Sequence, residues 1–139
     1  MNDQVSKYLL SIGYKSKAAE AGIEGLLRGW RGAVRGISNT NTTWIIYDFW
    51  YALVKRAVLD EVLPLVSEAE RATMKDELTK LDQEFKKCTW PTLHNLNKAS
   101  RARGENVWRD YRLPKNIKLN DYLQAFIQEA KDRGIEESD

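Results

Sequence analysis

The chain has 139 residues, of which 42% are hydrophobic and 30% charged, and its formal net charge is +2. This length predicts a single domain, and the composition excludes an intrinsically disordered chain. The charge is uneven, because residues 57–85 carry three basic and eight acidic groups whereas residues 86–118 carry nine basic and two acidic groups. A local field can therefore select a partner even though the total charge is small.

The first two predicted helices occupy residues 3–12 and 16–37, and Gly13 is expected to cap the first of them. In the second helix, apolar residues recur every three or four positions, which is typical of an amphipathic helix that faces a core. The residues of this apolar stripe are Ile23, Leu26, Leu27, Trp30, Ala33, Val34 and Ile37.

A third helix is predicted over residues 44–63, ending at Pro64. Its start is apolar nearly all round, so we expect it to lie in the centre of the bundle. The apolar run from Trp44 to Val54 is too short to cross a membrane. The N-terminus also lacks the pattern of a signal peptide, so we expect no membrane partner.

A fourth helix is predicted to begin at a capping box formed by Ser67 and Glu70, and it runs to about Lys87. Thr89-Trp90-Pro91 resembles another helix start, because proline is favoured at the first helical position. We expect that helix to reach about Arg103.

The last part of the chain is predicted to be a loop over residues 109–118, followed by a helix. Asn120 should cap that helix and Gly134 should close it, and residues 135–139 should fray. No segment has the alternating period of a β-strand. The fold class predicted for residues 1–139 is all-α, a single-domain bundle of about five to six helices.

Catalytic motifs are not recognisable in the sequence. His94 and Cys88 are the single histidine and cysteine, whereas a zinc site needs three or four ligands, and no phosphate-binding or nucleophile motif is present. We expect no enzyme, no cofactor and no metal. Asp48, the one acid within the apolar run, is either a buried acid in a pocket or a residue in an ion pair or facing solvent; a pocket there would be the less favoured enzymatic alternative. The lone cysteine gives no sign of an oxidising compartment, so we expect a cytoplasmic protein.

Five glycines recur at steps of three and four residues along the second helix. Since glycine in a helix costs about 1 kcal/mol relative to alanine, some close contact should compensate. The row is either packed inside the molecule or is a self-association face of a homo-oligomer, or else it breaks the helix. The glycines are Gly22, Gly25, Gly29, Gly32 and Gly36.

The basic segment, residues 86–118, is the best candidate for a binding site, because its cations alternate with Trp90, Trp108 and Tyr111. Such a pattern suits an acidic protein surface or the phosphates and bases of a nucleic acid. Alternatively, its charges pair with the acidic residues 57–85. The candidate binding residues are Arg101, Arg103, Trp108, Arg109, Tyr111, Arg112, Lys115 and Lys118.

From these features we expect a non-enzymatic interaction protein, an adaptor or inhibitor that binds an acidic surface of a protein partner. The alternative is a nucleic-acid-binding protein that uses the same basic segment.

Overall fold

The computed structural model describes residues 3–39, 41, 43–96, 101–102, 104–118 and 120–135. It is an all-α bundle that carries one small two-stranded antiparallel sheet. Its helices are α1 (Asp3–Ser11), α2 (Ser16–Ser38), α3 (Ile46–Val62), α4 (Glu68–Lys87) and α5 (Asp121–Asp132); its strands are β1 (Thr89–Pro91) and β2 (Arg112–Pro114); and 3₁₀ turns cover Leu63–Leu65 and Gly104–Tyr111.

Gly13 ends α1, as the sequence predicts. Its φ of 101° lies in the left-handed region, which glycine adopts at little cost. The backbone N–H of Tyr14 donates to the carbonyl of Leu9 at 3.0 Å, so the chain reverses sharply and α2 packs against α1.

The apolar stripe predicted for α2 is confirmed, and all seven of its residues are buried. The helix packs against α1, α3 and α4. It is not continuous, however, because Gly22 has a φ of 60° and a ψ of −146°. The helix therefore kinks immediately before Ile23, the first residue of the predicted stripe.

The helix predicted to be central, α3, is only partly surrounded by protein. Phe49, Leu53 and Leu59 are buried, but Tyr47 is 63% and Tyr51 68% exposed. The apolar run that suggested burial all round is rich in tyrosine, whose hydroxyl tolerates water. The N-terminal end of α3 therefore lies at the surface of the bundle.

The capping box of α4 is confirmed, because the hydroxyl of Ser67 accepts a hydrogen bond from the N–H of Glu70 at 3.2 Å. At the other end of α4, Phe85 is completely buried. Its ring lies 5.2 Å from that of Trp30 and 6.1 Å from that of Phe49. This aromatic group joins α2, α3 and α4 at the middle of the core.

The chain beyond Cys88 differs most from the prediction. Thr89–Pro91 is a strand rather than a helix start, and it pairs with Arg112–Pro114, so that Trp90 lies opposite Leu113. Residues 109–118, predicted as a loop, contain the end of a 3₁₀ turn and this partner strand. The pairing satisfies backbone groups across more than twenty residues of sequence, a gain that local periodicity does not reveal.

The C-terminal helix α5 begins as predicted, because Asn120 Oδ1 accepts the N–H of Leu123 at 2.8 Å. Residues 97–100, Arg103 and residues 136–139 lie outside the described residues, so the predicted helix end at Arg103 and most of the predicted fraying tail are not described. No helix in the described ranges has the length and apolarity needed to cross a membrane.

Candidate functional site

The three arginines of the basic segment that the structure describes bind other groups of this chain, and these are Arg101, Arg109 and Arg112. Arg109 donates to Asp60 at 3.1 Å and to Asp82 at 3.0 Å, and Arg56 on α3 binds the same two carboxylates. Both arginines are buried, at 5% and 4% exposure. The indole N–H of Trp30 also donates to Asp82, at 3.1 Å.

This four-residue charge cluster of Arg56, Asp60, Asp82 and Arg109 joins α3 and α4 to the segment that follows them. Burial opposes the positive charge of Arg56, but the hydrogen bonds and charges of Asp82 and Asp60 outweigh that effect and raise its pKa. Arg56 therefore acts as a structural cation. The cluster also neutralises part of the acidic residues 57–85 internally.

Arg101 also binds a residue of α3, Glu61. Its guanidinium makes two hydrogen bonds of 2.8 Å to Glu61 and one of 3.3 Å to the hydroxyl of Tyr8. The pKa of Arg101 is raised, chiefly by the hydrogen bonds to Glu61. The hydroxyl of Tyr8 donates to Glu61 as well, and that bond raises the tyrosine's pKa.

Arg112 holds the C-terminal end of α4. It donates to Thr89 Oγ1 at 2.8 Å, to the carbonyl of Thr89 at 2.8 Å and to the carbonyl of Lys86 at 2.9 Å. The last carbonyls of a helix have no partner within the helix, and a cation there also interacts favourably with the helix dipole. Its side chain is 2% exposed as a result.

Lys115 of the basic segment, by contrast, lies together with Lys131 of α5 on the surface at Trp90. The ammonium groups of Lys115 and Lys131 lie 4.9 and 4.8 Å from the centre of its ring. The half-buried ring lines an open depression of about 630 Å³ between β1 and α5, together with Gln124 and Gln128. We name these five residues the Trp90 surface.

Three other predicted binding residues lie elsewhere. Trp108 is half-buried, with its ring 5.8 Å from that of Phe85 and the guanidinium of Arg109 over it at 5.3 Å. Tyr111 is 37% exposed, and Lys118 is exposed on the turn after β2. The structure thus brings Lys115 together with Trp90, whereas Arg101, Arg109 and Arg112 bind other groups of this chain.

Lys131 was not found by sequence reasoning, because it lies on α5 outside the basic segment. Its position depends on the packing of α5 against β1. The sequence around Lys131 does not indicate this packing. His94 contributes to that packing, with Nε2 2.9 Å from Glu129 and its ring stacked on Phe126 at 4.3 Å. His94 is therefore a half-exposed packing residue in the structure.

The predicted glycine face is used unevenly. A Cβ at Gly36 would lie 2.6 Å from the indole of Trp44, so that glycine allows close packing within the molecule. A Cβ at Gly25 would lie 2.7 Å from Ala21 Cβ, since the kink at Gly22 brings the preceding turn back onto it. At Gly32 nothing lies within 4 Å, and at Gly29 the nearest atom is Lys55 Cδ at 3.7 Å.

Asp48 and Cys88, the residues considered for catalysis, lie at the start of α3 and just after α4. Asp48 is exposed on the first turn of α3. Burial, with the neighbouring Glu84, raises the pKa of the Cys88 thiol, although a hydrogen bond to Ser38 opposes this. Among the described residues, no three histidine, cysteine or acidic side chains converge as a metal site would require.

Comparisons with protein families, with curated protein sequences and with solved structures found no match to this chain.

Proposed function

We propose that this protein is an interaction module whose Trp90 surface binds an acidic segment of a protein partner. The observation that carries the proposal is the position of two ammonium groups over one half-buried indole ring, beside an open depression. We infer a cytoplasmic adaptor or inhibitor, since the single cysteine provides no disulfide.

The electrostatics of this surface favour an anion. Since Lys115 and Lys131 contact the same ring, their charges lie within about one Debye length, ~10 Å, of each other and repel. A carboxylate placed between them relieves that repulsion. The indole and the stems of the two lysines provide apolar area beside the charge, which suits an acidic residue with an apolar neighbour.

A protein partner fits better than a nucleic acid. Arg101, Arg109 and Arg112, which would contact phosphates with two hydrogen bonds each, already bind groups of this chain. The ring of Trp108 packs on the core, so the aromatic residues do not form a track on which successive bases could stack. Asp121 also lines the depression, but it would repel an acidic peptide as well as a phosphate backbone and so does not distinguish the two partners.

The test compares acidic peptides with nucleic acids. A fluorescein-labelled peptide of alternating Glu and Leu, a single-stranded RNA and a double-stranded DNA are each titrated with the protein in a salt series. We expect the peptide to bind, and the double variant Lys115→Glu/Lys131→Glu to weaken binding about tenfold or more. The matched control is Lys75→Glu/Lys80→Glu, which reverses two exposed charges on α4.

Each result decides between the candidates. Peptide binding that both double variants weaken equally would reflect net charge alone and would contradict the proposal. Binding of RNA or DNA without binding of the peptide, with a steep linear dependence on the logarithm of salt concentration, would favour the nucleic-acid alternative. An enzyme built around Asp48 is not favoured, because that carboxylate lies on an exposed helix face.

A further inference from the structure

A second surface lies where α2 and α3 run side by side. Its centre is an open groove of about 450 Å³. The floor of the groove consists of small residues of α2, namely Ala18, Ala21, Gly25 and Gly29. Because these residues project little, a partner backbone can approach α2 closely there.

Two exposed tyrosines extend this surface along α3. Tyr47, Tyr51 and Lys55 follow one another at four-residue intervals, so they form one line on the helix. Lys55 Cδ lies 3.7 Å from the position of a Cβ on Gly29, so the line of α3 runs next to the glycines of α2. Both tyrosines are more than 60% exposed, and tyrosine is enriched at the centres of protein interfaces.

The margin of the groove is positively charged. Lys15, Lys17, Arg28 and Lys55 all line it, and no acidic residue is among the described residues that do. Within the described ranges, none of these four side chains has a carboxylate at salt-bridge distance, whereas Arg31 on the same helix is paired with Glu77 at 2.6 Å. The groove thus combines an apolar floor with cations that the fold does not neutralise.

We propose that this groove is the docking site for an acidic amphipathic helix of a partner protein. The line from Tyr47 to Lys55 covers about 12 Å of helix, and the small residues of α2 continue beyond it, so a helix of about three to four turns would span the surface. Its apolar face would lie against the glycines and tyrosines, and acidic residues at its flanks would meet the four cations. The proposal does not depend on the Trp90 surface, with which it shares no residue.

The experiment uses the full chain labelled with ¹⁵N and a helical peptide of about four turns, with Leu and Ala on one face and Glu at both flanks. We expect the amide signals of Gly25, Gly29 and Gly32 to shift on titration. A peptide with Lys in place of each Glu should not produce these shifts. The variant Arg28→Glu/Lys55→Glu should weaken binding about tenfold or more.

The matched control uses two tyrosines of equal exposure. Tyr51→Ser removes a side chain that is 68% exposed on α3 beside the groove, and Tyr122→Ser removes one that is 67% exposed on α5. We expect only Tyr51→Ser to weaken binding of the peptide. Both substitutions remove mainly exposed area, and the dispersion of the amide spectrum verifies folding of each variant.

Several outcomes would overturn the proposal. These are the absence of shifts at the three glycines, equal shifts with the Lys peptide, or shifts that anionic phosphatidylserine vesicles produce and the acidic peptide does not. Concentration-dependent shifts of the same glycines without peptide would assign the groove to a second copy of this chain. If the peptide shifts none of the three glycine signals and Lys115→Glu/Lys131→Glu abolishes its binding, the groove proposal fails and the Trp90 surface remains as the binding site.

Discussion

Arg109 and Lys115 of the basic segment differ in burial because their side chains differ in chemistry. The guanidinium of Arg109 forms two directed bonds to Asp60 and Asp82, and a weakly hydrated, forked cation tolerates burial better than an ammonium does. The ammonium of Lys115 instead lies at the surface, 4.9 Å from the centre of the Trp90 ring, in keeping with its strong hydration. Both residues add one positive charge to the sequence, but the structure buries the arginine in ion pairs and leaves the lysine exposed.

Replacement of Arg109 by Met should destabilise the protein by about 3 kcal/mol, the low end of the range for breaking a buried ion pair, because Arg56 still serves the two carboxylates. Urea denaturation measures the change in the free energy of unfolding. Lys118→Met is the control from the same segment, and its cost should stay within about 0.5 kcal/mol because that side chain is exposed. Equal costs for the two variants would show that the charge cluster does not stabilise the fold.

Cys88 should react slowly with thiol reagents. Its pKa is raised by burial and by Glu84, so at any given pH below that pKa a smaller fraction is the reactive thiolate than in a free cysteine. The rate of reaction with a disulfide reagent should therefore rise at higher pH than the rate for glutathione. Glu84→Gln removes a carboxylate that raises the pKa and should shift the profile to lower pH; an unchanged profile would contradict this assignment.

The repeated glycines of helix α2 have different surroundings. At Gly32 an added methyl group meets nothing within 4 Å, whereas at Gly36 it meets the indole of Trp44. Gly32→Ala should therefore stabilise the protein by about 0.5–1 kcal/mol through helix propensity. Gly36→Ala should destabilise it by about 1–3 kcal/mol, because Trp44 must move.

Thermal unfolding of the two glycine variants gives opposite signs if this explanation is right. Equal signs would show that the glycines act through the unfolded chain alone. Peptide binding by Gly32→Ala provides a further check, since that position lies beside the proposed docking groove and has a φ that alanine accepts.

The helices were predictable because each carries its own signal: the stripe of α2, the Ser67 cap of α4 and the Asn120 cap of α5. The segment from Thr89 to Pro114 was not, because its structure depends on partners far away in sequence. Pro91 is as compatible with the end of a short strand as with a helix start, and only the pairing with Arg112 decides between them.

The two proposed binding surfaces could be predicted from the sequence only in part, for the same reason. Lys115 was found from its basic neighbourhood, but Lys131 reaches Trp90 from another helix. Tyr47 and Tyr51 belong to the apolar run that we expect to be buried, because such a run does not show which of its aromatic residues carry a hydroxyl toward solvent. The glycine row lies on α2, and its first member, Gly22, is the site of the kink.

The opposite charges of residues 57–85 and 86–118 are joined within the chain. Asp82 and Glu61 meet Arg109 and Arg101, so folding uses much of the asymmetry that the sequence shows. The cations of the Trp90 surface and those beside the groove are not part of these ion pairs. This arrangement also ties the C-terminal part of the chain to the helices by charge as well as by apolar contact.

Unfolding should therefore be one cooperative transition, with the small sheet lost together with the helices. Leu113 on β2 is fully buried and belongs to the same core as Phe85, so Leu113→Ala should cost about 2–5 kcal/mol. The urea midpoints measured by circular dichroism of the helices and by tryptophan fluorescence should then fall by the same amount. The reason is that loss of the strand opens the core of the helices. If fluorescence changed first while the helix signal stayed at its original midpoint, residues 89–117 would be an appended unit, and the charge cluster would not couple it to the bundle.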